Sequence, residues 1–205
     1  LKSMERSTGA SGKSFAAMGM AIAGATVAIA AMTRAFTSIV KTGKEFEQSM
    51  ANVRAISRAT DAQFIALEAN AKRLGATTKF TASEVAGLQT EFAKLGFTAS
   101  EINKVTQGTL DLAAATGEDL AESAGVAGAT LRGFGLEAGK TSQVTDVMAA
   151  SFSRSALDLR KFTDSMKFVA PVANLAGFEI EGTTAMLGQL ANAGIDGSMA
   201  GTALR

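Results

Sequence analysis

The run FTASEV, Phe80 to Val85, returns seventeen residues later as FTASEI, Phe97 to Ile102. In each copy Thr is a good N-cap, because its hydroxyl accepts from an amide of the first helical turn that has no partner inside the helix. The Glu three positions on reaches back to the cap's own N–H, which makes the pair a capping box. Phe immediately before the cap, with Val85 or Ile102 four residues after it, adds a hydrophobic staple. The stretch is a helix start written twice. Thr60 with Gln63 repeats the spacing, and Thr116 with Asp119 and Ser155 with Asp158 repeat it more weakly.

Working outward, stop signals answer these starts. Gly75, Gly96 and Gly177 each follow a Leu-rich or Ala-rich turn, where a left-handed residue ends a helix. Between starts and stops the apolar positions keep one spacing, i, i+3, i+7, i+10: Phe64, Leu67, Ala71, Leu74; Val85, Leu88, Phe92, Leu95; Leu159, Phe162, Met166, Val169. That is the stripe of an amphipathic helix packed on neighbours. No stretch of four or more residues alternates as a strand requires, and Pro171 is expected to open or kink one helix. From residue 60 onward the chain reads as a succession of helices of roughly 11 to 15 residues each. The expected fold class is all-α. A repeat family needs about three units of constant period. Only two are seen here, so the duplication reads as capping chemistry used twice.

The N-terminal stretch obeys a different rule. Apolar or small residues recur on a heptad through Phe15, Met18, Ile22, Ala25, Ile29, Met32, Phe36 and Ile39, and the frame resumes after Gly43 at Phe46, Met50 and Val53. This is the a/d seam of a coiled coil, and these eleven residues are the candidate self-association site. Ser14 to Thr33 carries no charge, and a helix apolar or small on every face must be enclosed. A bundle of sister helices is one enclosure. A membrane span is another: the run is long enough, and Ala17, Ala21 and Ala25 have the spacing that lets membrane helices approach closely. Eight of its twenty residues are Ala, however, which weakens insertion. A secretory core fails on length and lacks a separable cleavage pattern. The expected organisation is a polar lead, 1–13; a long apolar, coiled-coil-like helix, 14–56; and a compact multi-helix domain, 60–205.

Composition excludes much chemistry. With no Cys there are no disulfides or thiolate sites, and with no His the usual general base and commonest metal ligand are missing. No catalytic residue, cofactor site or metal site is expected, and the chain reads as a non-enzyme. Its net charge of +1 is uneven: residues 1–60 hold eight Lys/Arg against three Asp/Glu, and residues 61–205 hold twelve against sixteen. The N-terminal cations lack aromatic stacking partners, since there is no Trp or Tyr and the Phe residues fall on core stripes. Sequence-specific nucleic-acid recognition is not expected. STGASGKS, Ser7 to Ser14, ends like a phosphate loop but has Ser7 where the first Gly belongs and no strand before it. Gly133, Gly135 and Gly139 miss the dinucleotide spacing and mark a loop, and Glu118 with Asp119 suits the positive end of a helix. The absence of an initiating Met, and the mid-element character of Gly201 to Arg205, suggest a piece of a longer protein.

From about residue 44 the sequence resembles the core region of phage tail tape measure proteins. The resemblance lies in KEFEQSMANVRAI, AKRLGATTKFTASEVA, LAAATGEDLAESAGVAGATLRGFGLEA and PVANLAGFEIEGTTAMLGQLANAGIDGSMAGTALR, in that order. Glu91 and Phe92 depart from a plainer Leu-Ala run, and Glu179 stands at a cap where Ser or Thr is usual. The resemblance implies a core domain continuing beyond residue 205. It also implies a structural virion protein in the tail lumen, present in a few copies, that sets tube length and leaves ahead of the DNA. The partners implied are its own copies, tail tube and tail tip or baseplate proteins, and tail assembly chaperones. It implies residence in the host cytoplasm during assembly. The alternative is a membrane-inserting module that forms part of a DNA-translocation channel in the host inner membrane.

Overall fold

The computed structural model describes residue 37 and residues 40–205, and every described element is helical. Residues 40–57 form α1. They are followed by α2 (Asp61–Thr77), α3 (Ala82–Lys94), α4 (Ala99–Thr116), α5 (Leu120–Gly133), a short 3-10 turn (Ala138–Lys140), α6 (Thr141–Arg154), α7 (Leu159–Leu175), α8 (Ile180–Asn192) and α9 (Gly197–Leu204). The chain divides between Glu45 and Phe46, and residues 46–205 are one compact unit. The heptad positions Phe15, Met18, Ile22, Ala25, Ile29, Met32, Phe36 and Ile39 lie outside the described residues, as do the long-helix expectation for residues 14–39 and the phosphate-loop-like stretch.

The three capping boxes form as the sequence predicts. Thr60, Thr81 and Thr98 each accept from the backbone N–H three residues on, and Gln63, Glu84 and Glu101 each accept from the cap's own N–H. The staple residues are drawn inward: Val85 and Ile102 are fully buried and Phe97 nearly so. Two weaker starts are displaced by three residues. The cap of α5 is Asp119, whose carboxylate accepts from Ala121 and Glu122, while Thr116 ends α4 and donates to the Leu112 carbonyl. Asp158 likewise caps α7, and Ser155 closes α6 by donating to the Ser151 carbonyl. A carboxylate accepts strongly at a cap, whereas a hydroxyl also satisfied by the carbonyl four residues back serves equally well as a stop.

Gly96 and Gly177 end α3 and α7 with φ of 81° and 78°. Gly75 does not act as a stop. It lies inside α2, where a Cβ would come 2.5 Å from the Ala82 amide nitrogen, so its role is to let the start of α3 lie against α2. Pro171 also lies within a helix, α7. It withholds an N–H from the carbonyl of Lys167, on a stretch open to water, where that loss is tolerable.

Helix order governs packing. α2, α4, α6 and α8 pack in succession along one row, α3, α5, α7 and α9 along another, and consecutive helices join the rows. This next-but-one order is how helical-repeat arrays stack. Helix lengths run from 8 to 18 residues, so one geometric step has no constant period in sequence. The expected stripes face the core: Leu67, Ala71, Leu74, Val85, Leu88, Phe92, Leu159, Phe162, Met166 and Val169 are buried and Phe64 packs against them. Leu95, at the C-cap of α3, is 40% exposed instead. The edge-to-face pair Phe152–Phe162, with centroids 5.6 Å apart, links α6 to α7, and Phe92–Phe97, at 5.3 Å, packs the turn after α3 onto that helix.

Polar ties set how the helices meet. Gln89, fully buried on α3, donates to the Leu67 carbonyl of α2 at 3.1 Å and to Asn70 Oδ1 at 3.3 Å. Arg132 of α5 lies 4.7 Å from the centre of the Phe97 ring. At the far end Ser165 Oγ donates to the Gly197 carbonyl at 2.8 Å, and a Cβ at Gly201 would sit 2.4 Å from the Ser165 carbonyl oxygen. α9 thus lies on α7 backbone to backbone, a closeness open only to glycine.

Candidate interaction surfaces

Three positions of the predicted seam are described, and all three turn into the chain's own core. Met50 and Val53 are 3% and 0% exposed, and Phe46 packs beside them with the Lys72 ammonium 5.5 Å above its ring. The physical reason is composition: residues 46–57 carry a narrow apolar stripe among Glu47, Gln48, Asn52 and Arg54, and α2 offers a matching stripe one turn away. The turn is held by Arg54, which pairs with Asp61 and lies 4.9 Å from the centre of the Phe64 ring, while Arg58 takes a φ of 51°. These three side chains are consequently not free to meet a sister helix. The other eight positions of the predicted seam, Phe15 to Ile39, lie outside the described residues.

The titrating groups of the described residues have structural causes for their shifts. Glu101 is held below its ordinary value first by the Thr98 backbone N–H and then by the Thr98 hydroxyl, which is the capping box itself. Glu181 is lowered by the Gln143 amide, a tie between α6 and α8. Lys161 is raised by its bond to Asp196, 3.0 Å away, which pins the turn before α9 to α7. Asp164 is lowered by Lys167. Each partner is the nearest oppositely charged or hydrogen-bonding neighbour on an adjacent turn or helix. Among the described residues no group of acids is arranged to hold a metal ion.

Two grooves run between neighbouring helices of a row. One, of about 350 Å³ between α6 and α8, is lined by Ser151, Arg154, Glu181, Thr184, Gly188 and Asn192. Asn192 Oδ1 is engaged there by the Ala156 amide at 2.8 Å. The other, of about 220 Å³ between α5 and α7, is mainly apolar. Sequence reasoning missed both, because a groove arises from which helices become neighbours, and stripe spacing does not state that. Among the described residues no helix is long and apolar enough to cross a membrane.

The described residues from α2 to α9 form a two-row, all-α helical stack. Comparison with known proteins makes the class specific. Residues 68–205 match the family model described as phage-related minor tail protein. The chain is 41% identical over 166 residues to the tape measure protein of Pneumococcus phage Dp-1, covering 81% of this chain and 14% of that protein. It is 35% identical over 201 residues to the probable tape measure protein of Escherichia phage P2, covering 97% of this chain and 23% of that one. The chain belongs to the phage tail tape measure protein family. It spans about a seventh and about a quarter of the length of these two relatives. No solved structure matches it.

Proposed function

We propose that this chain is part of a structural virion protein that sets the length of a phage tail tube during assembly and leaves ahead of the DNA during infection. Family membership is the observation that carries the reading, and the division of labour along the chain supports it. Residues 46–205 bury their apolar stripes among themselves, and the eight heptad positions from Phe15 to Ile39 have in sequence the spacing of an association seam. In this reading residues 14–39 form the extended helix that joins a few copies, and the stack is a docking unit. Tail tube, tail tip or baseplate proteins and assembly chaperones are the partners, and the tail lumen is the site of residence, after assembly in the host cytoplasm.

A helix converts chain length into distance at about 1.5 Å per residue. Duplicating residues 15–42 in the phage-borne parent protein, four whole heptads, keeps the seam in frame and should lengthen the tail by about 42 Å on that rise. Electron microscopy of tails reads the outcome directly. Tails of unchanged length, from virions that incorporate the duplicated protein, would remove this segment from the ruler.

A second reading rests on one feature, the uncharged run Ser14 to Thr33. It makes that run a membrane-inserting element of a DNA-translocation channel in the host inner membrane. Flotation with liposomes of the chain with and without residues 14–33 separates the two. Equal lipid binding by both proteins excludes the membrane reading.

A further inference from the structure

The groove between α6 and α8 keeps polar groups that the stack itself does not use. Its ends are tied, by the Gln143 amide donating to the Glu181 carboxylate at 2.5 Å and by the Ala156 N–H donating to Asn192 Oδ1 at 2.8 Å. Between them a Cβ at Gly188 would stand 3.2 Å from Ser155 Oγ, so the helices are close-set there. Residue numbers rise together on the two helices through these contacts, so α6 and α8 run parallel and the groove follows them. Glu181 and Asn192 are eleven positions apart, which is about 16 Å of helix at 1.5 Å per residue.

The unused groups are donors at one end and a carboxylate at the other. Arg154, in the last turn of α6, lines the groove and has no carboxylate partner among the described residues. Asn192 has its Oδ1 occupied, which leaves its Nδ2 to donate. Thr184 also lines the groove; it is 1% exposed and its hydroxyl has no partner. Thr106, Thr109, Thr145 and Thr183 are buried too, yet each donates to the carbonyl four residues back. A buried hydroxyl without a bond is unfavourable, and the exception among these adjoins the groove. At the other end Glu181 gives one acceptor site to Gln143 and keeps the rest. Val147, Ala150 and Ala185 make the wall between the ends apolar.

We infer that the α6–α8 groove binds an extended peptide segment of a partner protein, with an acidic side chain on Arg154 and a basic one towards Glu181. Charge complementarity selects this occupant, because the free cation and the free carboxylate sites stand at opposite ends of one apolar trough. An extended chain rises about 3.3 Å per residue, so about 16 Å sets its two charges five residues apart, with small apolar residues between. A volume of about 350 Å³ over that length suits such a chain and not a helix about 10 Å across. Arg154 is exposed, so the contact is weak and weakens further with salt. The inference rests on the proposed function only in taking the partner to be a protein, and its test leaves tail length untouched, so the two fail separately.

The chain has neither Trp nor Tyr, so the fluorescence of a Trp-bearing probe is read alone. The probe is the end-blocked peptide Lys-Ala-Ala-Trp-Ala-Glu, titrated with the full chain at low ionic strength. Its anisotropy is expected to rise to saturation, and exchanging the peptide's Glu for Gln to weaken binding about fivefold. Arg154→Gln should cause the same loss with circular dichroism unchanged. The two changes together should cost no more than either alone, the sign of a direct pair. Arg160→Gln, which removes an exposed cation of α7, should leave binding as it was. A titration that does not saturate overturns the inference, as do additive losses from the two changes or an equal loss from Arg160→Gln. Full displacement of the peptide by inorganic phosphate at equal concentration assigns Arg154 to a free anion and also overturns it.

Discussion

Gly201→Ala is the smallest change that should unseat a whole helix. The added Cβ would lie 2.4 Å from the Ser165 carbonyl oxygen and 3.0 Å from the Ser165 Cα and carbonyl carbon, all backbone atoms that no side-chain rotation can move. α9 must back away from α7, stretching the 2.8 Å bond from Ser165 Oγ to the Gly197 carbonyl. Overpacking costs about 1–3 kcal/mol, and the lost hydrogen bond about 1 more. The higher helix propensity of Ala returns about 1 kcal/mol, so the net cost is about 1–3 kcal/mol. An eight-residue helix is too short to persist alone, so the cost should appear as local detachment. Hydrogen exchange is the assay: amides of residues 200–204 should lose protection by about 5- to 150-fold, with α3 and α4 unaffected. Gly182→Ala on α8, where a Cβ meets nothing within 4 Å, is the matched control and should be neutral or stabilising by up to about 1 kcal/mol. Undiminished protection in Gly201→Ala would refute the backbone-to-backbone seating of α9.

Other expectations follow from the caps. Thr81→Ala and Thr98→Ala should each destabilise by about 1 kcal/mol in urea unfolding, and Asp119→Ala should cost more than Thr116→Ala, because Asp119 is the residue that caps α5. Equal costs for Asp119 and Thr116 would restore the three-residue-earlier start. Glu101 has its folded-state affinity for a proton lowered by Thr98, so its contribution is present above the ordinary value of 4.5 and is lost as pH falls below it. Thermal melts of Glu101→Gln from pH 6 to pH 3 should therefore fall less steeply than those of the wild type, and identical slopes would deny the capping bond its electrostatic part.

Helix starts and buried stripes were legible in the sequence because each is a local property. A hydroxyl and a carboxylate three residues apart meet within one turn, and Leu67, Ala71 and Leu74 share a face whatever they pack against. Competition among local signals was harder to read. Thr116 and Ser155 look like starts until Asp119 and Asp158 are weighed as stronger acceptors nearby, and Gly75 looks like a stop until α3 comes to lie on it. The row order of the helices was not legible, because it depends on which stripe meets which. Nor was the exposure of Phe168 and Leu175, which carry the spacing of core residues yet stand outside the core. Met50 and Val53 show the reverse, fitting a heptad in sequence while being buried in the chain's own stack. A seven-residue seam and a 3.6-residue stripe coincide over two turns and separate only over longer runs.

In the proposed function residues 46–205 complete their own core while the heptads from Phe15 to Ile39 join copies. Sedimentation equilibrium of the 20.9 kDa chain beside its Ile22→Asp, Ile29→Asp variant tests it most directly. Unpartnered charges at buried seam positions are strongly unfavourable. The variant is therefore predicted to lose the largest species formed by the wild type while keeping the helical signal of the stack. The same mass distribution for both proteins would contradict the claim.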